Sequence, residues 1–152
     1  MLEFRSILIP TDFSECAQHA EHYGVALAKQ FHSELHYLYA IEPIDTFATI
    51  NGVEQSIYFD VLKDLRESAQ ERLSQLAQQR QQEGFRVVTT IREGRASEAI
   101  IEYAQQNAIS LICIATHGRR GFSHLILGST TERVVRRAPC PVFVVRAGSG
   151  QS

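Results

Sequence analysis

Residues 111–146 are LICIATHGRRGFSHLILGSTTERVVRRAPCPVFVVR, a strand, a glycine-bearing loop, a helix and a second strand in succession. Leu111–Ala115 is short and wholly apolar, which predicts a buried strand. A loop from Thr116 to Leu127 follows and holds Gly118, Gly121, two arginines and two histidines. Gly128-Ser129-Thr130 then opens a helix that runs to Arg137 and is stopped by Pro139 and Pro141. Val142–Val145 predicts a final strand. Backbone N–H groups at a helix start, approached through glycines, suit an anion, most often phosphate.

Working outward, the rest of the chain alternates in the same way. Ser6–Ile9 is a β-branched run stopped by Pro10 and predicts the first strand. Ser14 is the expected N-cap of a helix to Phe31, with Ala17, Ala20, Tyr23, Gly24, Leu27 and Phe31 on one face. Glu34–Ile41 predicts the second strand, ended by Glu42-Pro43. Glu42–Ser56 shows no period and contains Asn51-Gly52, so it is expected to be a long connection, a lid or an excursion. Ile57–Glu83 predicts a long helix with Val61, Leu65, Ala69, Leu73, Leu76 and Ala77 facing inward, closed by Gly84 at C′. Phe85–Ile91 predicts the third strand and Ala96–Asn107 a helix.

Apolar strands alternating with helices predict an α/β fold, a doubly wound five-stranded parallel sheet covered on both faces. Right-handed crossovers narrow the order to 3-2-1-4-5. In such sheets a ligand sits past the C-terminal strand ends where the order reverses, here between the first and fourth strands. Those ends carry Pro10-Thr11-Asp12 and Ala115-Thr116-His117-Gly118, so the anion loop falls at the switch point. Residues 1–147 are expected to form one domain and 148–152 a polar tail.

The 152-residue chain is 44% apolar and 21% charged, with a formal charge of -2. That balance argues against a general nucleic-acid binder, although Arg119, Arg120, Arg133, Arg136 and Arg137 form a local basic patch. The three cysteines, Cys16, Cys113 and Cys140, form no CxxC pair. An odd count without a framework fits the reducing cytoplasm, with Cys113 in the core. No apolar segment is long enough to span a membrane, and the N-terminus lacks a signal-peptide pattern.

Asp12 follows the first strand. Its carboxylate suits ribose hydroxyls or an adenine amino group, and equally suits a turn before the helix. Ser129 and Glu132 are spaced as a capping box. Gly128 permits close approach of a ligand or of neighbouring backbone. Of Arg119 and Arg120, one is expected to face a phosphate. His117 and His124 have no partner at metal-ligand spacing, so no metal site is expected. His22 and His36 are expected at the surface or partly buried. The chain has no GxxxxGK[ST], no GxGxxG and no GxSxG. It also lacks the paired acids, third-strand aspartate and fifth-strand lysine of a phospho-receiver.

At two segments the chain resembles the universal stress protein family, UspA-like, in its nucleotide-binding branch. They are ILIPTDFSE at 7–15 and IATHGRRGFSHLILGSTTERVVRRAPCPVFVVR at 114–146. The branch pattern G-x2-G-x9-G-[S/T] falls on Ala115, Gly118, Gly128 and Ser129, with alanine at the first glycine position. The resemblance implies a Rossmann-like, adenine nucleotide alpha hydrolase-like sheet holding ATP, with Mg²⁺ bridging the phosphates. It implies that Asp12 meets ribose or adenine beside Pro10 and Thr11, and that Ala40 faces adenine through its backbone. Gly118, Arg119, Gly128, Ser129 and Thr130 would hold ribose and phosphates. It further implies a cytoplasmic homodimer paired through the Val142–Val145 edge, acting without catalysis in stress signalling on an unknown protein partner. Two alternatives stay open: a slow ATPase or phosphotransfer enzyme using His117 or His124, and a nucleotide-free dimer working through protein contacts.

Overall fold

The computed structural model describes residues 1–43, 52–118 and 127–146. In chain order the elements are β1 (Ser6–Pro10), α1 (Glu15–Phe31), β2 (Glu34–Ile41), α2 (Gly52–Gln82), β3 (Val87–Glu93), α3 (Ala96–Gln106), β4 (Leu111–Ala115), α4 (Ser129–Arg137) and β5 (Val142–Val145). The strands form one parallel sheet in the order β3-β2-β1-β4-β5, as expected.

Alternation along the strands sends side chains to opposite faces, and helices cover both. Ile7, Ile9, Leu35, Tyr37 and Cys113 pack with α1 and with Ala69 and Leu73 of α2. Leu8, Leu38, Ile112 and Ile114 pack with Ile100 and Tyr103 of α3 and Val134 of α4. Burial on both faces explains why β1 and β4 read as unbroken apolar runs.

Small residues bring α1 close to the sheet. Ala17, Ala20, Gly24 and Ala28 are its buried positions, and a Cβ at Gly24 would lie 2.5 Å from Ile9 Cδ1. Ser14 caps the helix, its Oγ accepting the Ala17 N–H at 3.2 Å. At the end of α2, Gly84 takes φ 96°. Its N–H donates to Gln81 O at 3.0 Å and that of Phe85 to Arg80 O at 3.1 Å, the paired closure of a glycine-ended helix.

The departures from expectation have local causes. α2 starts at Gly52, so the aperiodic segment ends in helix; residues 44–51 lie outside the described residues. Val61 and Leu65, expected to face inward, are exposed with Ile57 and Phe59; Leu62 packs against the core instead, and Ala69 and Leu73 are buried. The inward face therefore runs through Leu62, Ala69, Leu73 and Leu76 rather than through Val61 and Leu65. β3 lies two residues later than Phe85–Ile91 because Phe85 belongs to the turn closing α2. Its charged end, Arg92 and Glu93, pairs with Ala40 and Ile41. α3 ends at Gln106, one residue early.

Two side chains change place. Tyr23 is exposed, at the edge of its helix face. His36 is fully enclosed: its Nδ1 meets Tyr103 Oη and its Nε2 meets Glu34 Oε1, both at 2.8 Å. Two polar partners let this ring be buried. Among the described residues, no helix is long and apolar enough to cross a membrane.

Candidate functional site

A cavity of about 520 Å³ opens at the C-terminal ends of β1, β2 and β4. Its walls include Pro10, Thr11 and Asp12 from β1, Ala40 from β2, Ala115 and Gly118 from β4, and Gly128, Ser129 and Thr130 at the start of α4. Nine of the ten residues singled out in the sequence thus meet in one place; Arg119 lies outside the described residues, as do Arg120 and His124.

The turn after β1 is built by its own side chains. Thr11 Oγ1 accepts the Phe13 N–H at 3.0 Å, and Asp12 Oδ1 accepts the Ser14 N–H at 2.9 Å. These bonds hold Phe13 at φ 61°, a left-handed backbone that an aromatic residue rarely adopts. Stacking on Tyr39 at 5.5 Å and under the Arg72 guanidinium at 4.1 Å compensates. Asp12 therefore does turn the chain with one oxygen. The other faces Gly118, where an added Cβ would lie 2.4 Å away.

The start of α4 differs from the capping-box expectation. Gly128, not Ser129, is the N-cap, and among the described residues no side-chain cap bond is made at this helix start. Glu132 pairs with Arg136 at 2.9 Å instead of reaching back. The cause is a backbone clamp: Gly128 N–H donates to Thr116 O at 2.7 Å and Gly128 O accepts from Glu132 N–H at 2.9 Å. A Cβ at 128 would stand 3.2 Å from Thr116 O. This clamp draws the helix start one residue earlier against β4. Thr131 Oγ1 donates to Ala115 O at 2.6 Å and fixes the helix to the strand end. The Ala115 carbonyl is thereby engaged, and Ala115, which lines the cavity, also belongs to the buried cluster with Ile9 and Cys113.

Several lining residues carry no sequence signal. Leu38, Ile100 and Ile114 form apolar wall but read as core. Arg133 belongs to the basic patch and lines the cavity near the start of α4. Glu42 lines the cavity and accepts the Ala96 N–H through Oε1 at 2.9 Å. The only local hint is Arg95, an N-cap residue whose side chain makes no cap.

Burial, then the charges of Asp12 and Glu15, push the Cys16 thiol up, away from thiolate. His117 Nδ1 lies 3.2 Å from Thr116 Oγ1. Among the described residues, no three His, Cys, Asp or Glu side chains converge as metal ligands.

A model of the universal stress protein family matches residues 3–146. Universal stress protein MJ0531 of Methanocaldococcus jannaschii is 30% identical over 144 residues, covering 94% of this chain and 82% of that one. The solved structure of universal stress protein UspA from Lactobacillus plantarum superposes with TM-score 0.84 at 28% identity, covering 96% of this chain and all of that one. A universal stress protein solved in complex with cAMP shares the fold at TM-score 0.60 and 19% identity, over 95% of this chain and 98% of that one.

Proposed function

The chain belongs to the universal stress protein family, and from that premise we propose that it is an ATP-binding module of stress signalling, acting as a cytoplasmic homodimer and without catalysis. The observation that carries the reading is the meeting of Asp12 with Gly118 beside the start of α4. A carboxylate for hydroxyls and the N–H groups of a helix start for phosphates are what a nucleotide asks of a protein.

The residues fit such a ligand. A cavity of about 520 Å³ is of small-molecule size. Leu38, Ala40, Ile100 and Ile114 offer an apolar slot for adenine, with the Ala40 backbone towards its edge. Asp12, with Pro10 and Thr11, takes the ribose. Gly118, Gly128, Ser129 and Thr130 face the phosphates, aided by Arg133 and by Arg119 from the loop. Mg²⁺ would bridge phosphate oxygens and water, which is how this ion is commonly held. An alanine at 115 keeps the backbone N–H and carbonyl that a glycine would offer, and that carbonyl accepts from Thr131 Oγ1.

The dimer reading rests on β5, whose outer edge has no partner strand among the described residues. An apolar edge carrying exposed Phe143 is a template for a second strand, and a two-fold axis lets two copies satisfy each other. Nucleotide occupancy would then set how the dimer meets a protein partner.

Displacement of a fluorescent ATP analogue tests the nucleotide reading. Saturable binding reversed by ATP is expected. An analogue that shows no saturation at millimolar concentration overturns it.

A further inference from the structure

Two helices present their N-termini to the cavity, and the chain itself occupies one. α4 starts behind Gly128, which has no side chain to offer. α3 starts behind Arg95, which makes no cap either, but there Glu42 Oε1 accepts the Ala96 N–H at 2.9 Å. Glu42 follows Ala40 by two residues past the end of β2, so strand alternation places both on one face. Glu42, Ala40 and Ala96 all line the cavity.

The arrangement makes the cavity directional. A helix N-terminus carries about half a positive charge, and a carboxylate there cancels it. At α3 that place is taken by a negative group, which repels phosphate. At α4 it is left to a ligand, and Arg133 adds a cation. β2, which leads to Glu42, and β4, which leads to α4, stand on either side of β1, so these two strand ends lie roughly 10 Å apart, two strand spacings.

We propose that Glu42 fixes the direction in which the nucleotide lies and selects the edge of its base. This rests on the nucleotide reading above. With Oε1 engaged by Ala96, Glu42 makes no other hydrogen bond or ion pair among the described residues. A carboxylate oxygen accepts and cannot donate. Oε2 therefore favours an exocyclic amino group, as on adenine, and rejects a carbonyl at the same position, as on hypoxanthine. Phosphates are turned towards α4.

The test compares ATP with ITP, which exchanges that amino group for a carbonyl, on wild type and Glu42→Gln. The glutamine carbonyl can still accept from Ala96, while its NH₂ now donates. Wild type is expected to prefer ATP, and Glu42→Gln to shift the affinity ratio towards ITP by about tenfold. Glu42→Ala, measured alongside in case the amide variant folds poorly, should also lose the preference. Melting curves check that each variant is folded. An unchanged ATP-to-ITP ratio in both variants overturns the role of Glu42 while leaving nucleotide binding intact. Failure of wild type to bind either nucleotide overturns both.

Discussion

A methyl group at position 118 would meet Asp12 Oδ2 at 2.4 Å. Asp12 is held through Oδ1 by Ser14, so it cannot swing aside without giving up the turn before α1. Gly118→Val is therefore expected to weaken ATP binding at least tenfold, an effect of about 1.4 kcal/mol or more, and also to lower the melting temperature, since overpacking costs about 1–3 kcal/mol. Analogue titration beside a thermal melt separates the two effects; equal affinity would remove Gly118 from the site. Cys113 gives a pH prediction. Its Sγ donates to Ala20 O at 3.3 Å, and burial pushes the thiol from 9.0 to about 12. The folded chain keeps this proton while the unfolded chain releases it, so stability is full below about pH 9 and falls as pH rises towards 12. Cys113→Ala is expected to show a shallower alkaline fall in urea midpoint; an identical slope would contradict the assignment. Residues adjacent in sequence to a strand end were legible: Pro10-Thr11-Asp12, and the spacing from Gly118 to Gly128. Glu42 was not, because its partner lies 54 residues away and local sequence shows only a helix start without a capping side chain.

Among the elements, α2 is the least uniform. Leu73 is fully buried, whereas Val61, three turns earlier, is 49% exposed. Leu73→Ala is expected to cost about 2–5 kcal/mol and Val61→Ala under about 1 kcal/mol, read from urea unfolding. Similar losses at both positions would mean that the first turns of α2 pack against something. The same contrast explains what could be read of this helix. Ala69, Leu73 and Leu76 were legible because the sheet demands apolar residues there; earlier, the spacing pointed to Val61 and Leu65, whereas Leu62 is the residue that packs on the core. Capping followed similar logic. Ser14 was readable as a cap because its bond is local, to Ala17. Ser129 had the same signature, yet the backbone clamp between Gly128 and Thr116 set the helix start instead.

For the whole molecule, strand order was legible because buried β1 and β4 admit little but apolar residues and because helices must cross between parallel strands. The edges were less so. β3 carries Thr89, Thr90 and Arg92, and its bounds slipped by two residues. At the other edge, Phe143 is exposed beside Tyr23, with ring centroids 6.2 Å apart. If β5 pairs with a second copy, Phe143→Glu places like charges across the two-fold axis. Light scattering at micromolar concentration should show a dimer for the parent chain and a monomer for the variant; a monomeric parent would contradict the pairing. The central claim is that the switch-point cavity holds an adenine nucleotide. Calorimetric titration of ATP with Mg²⁺ into the purified protein tests it most directly. One saturating site per chain is predicted, and the absence of any saturable heat up to millimolar ATP would contradict it.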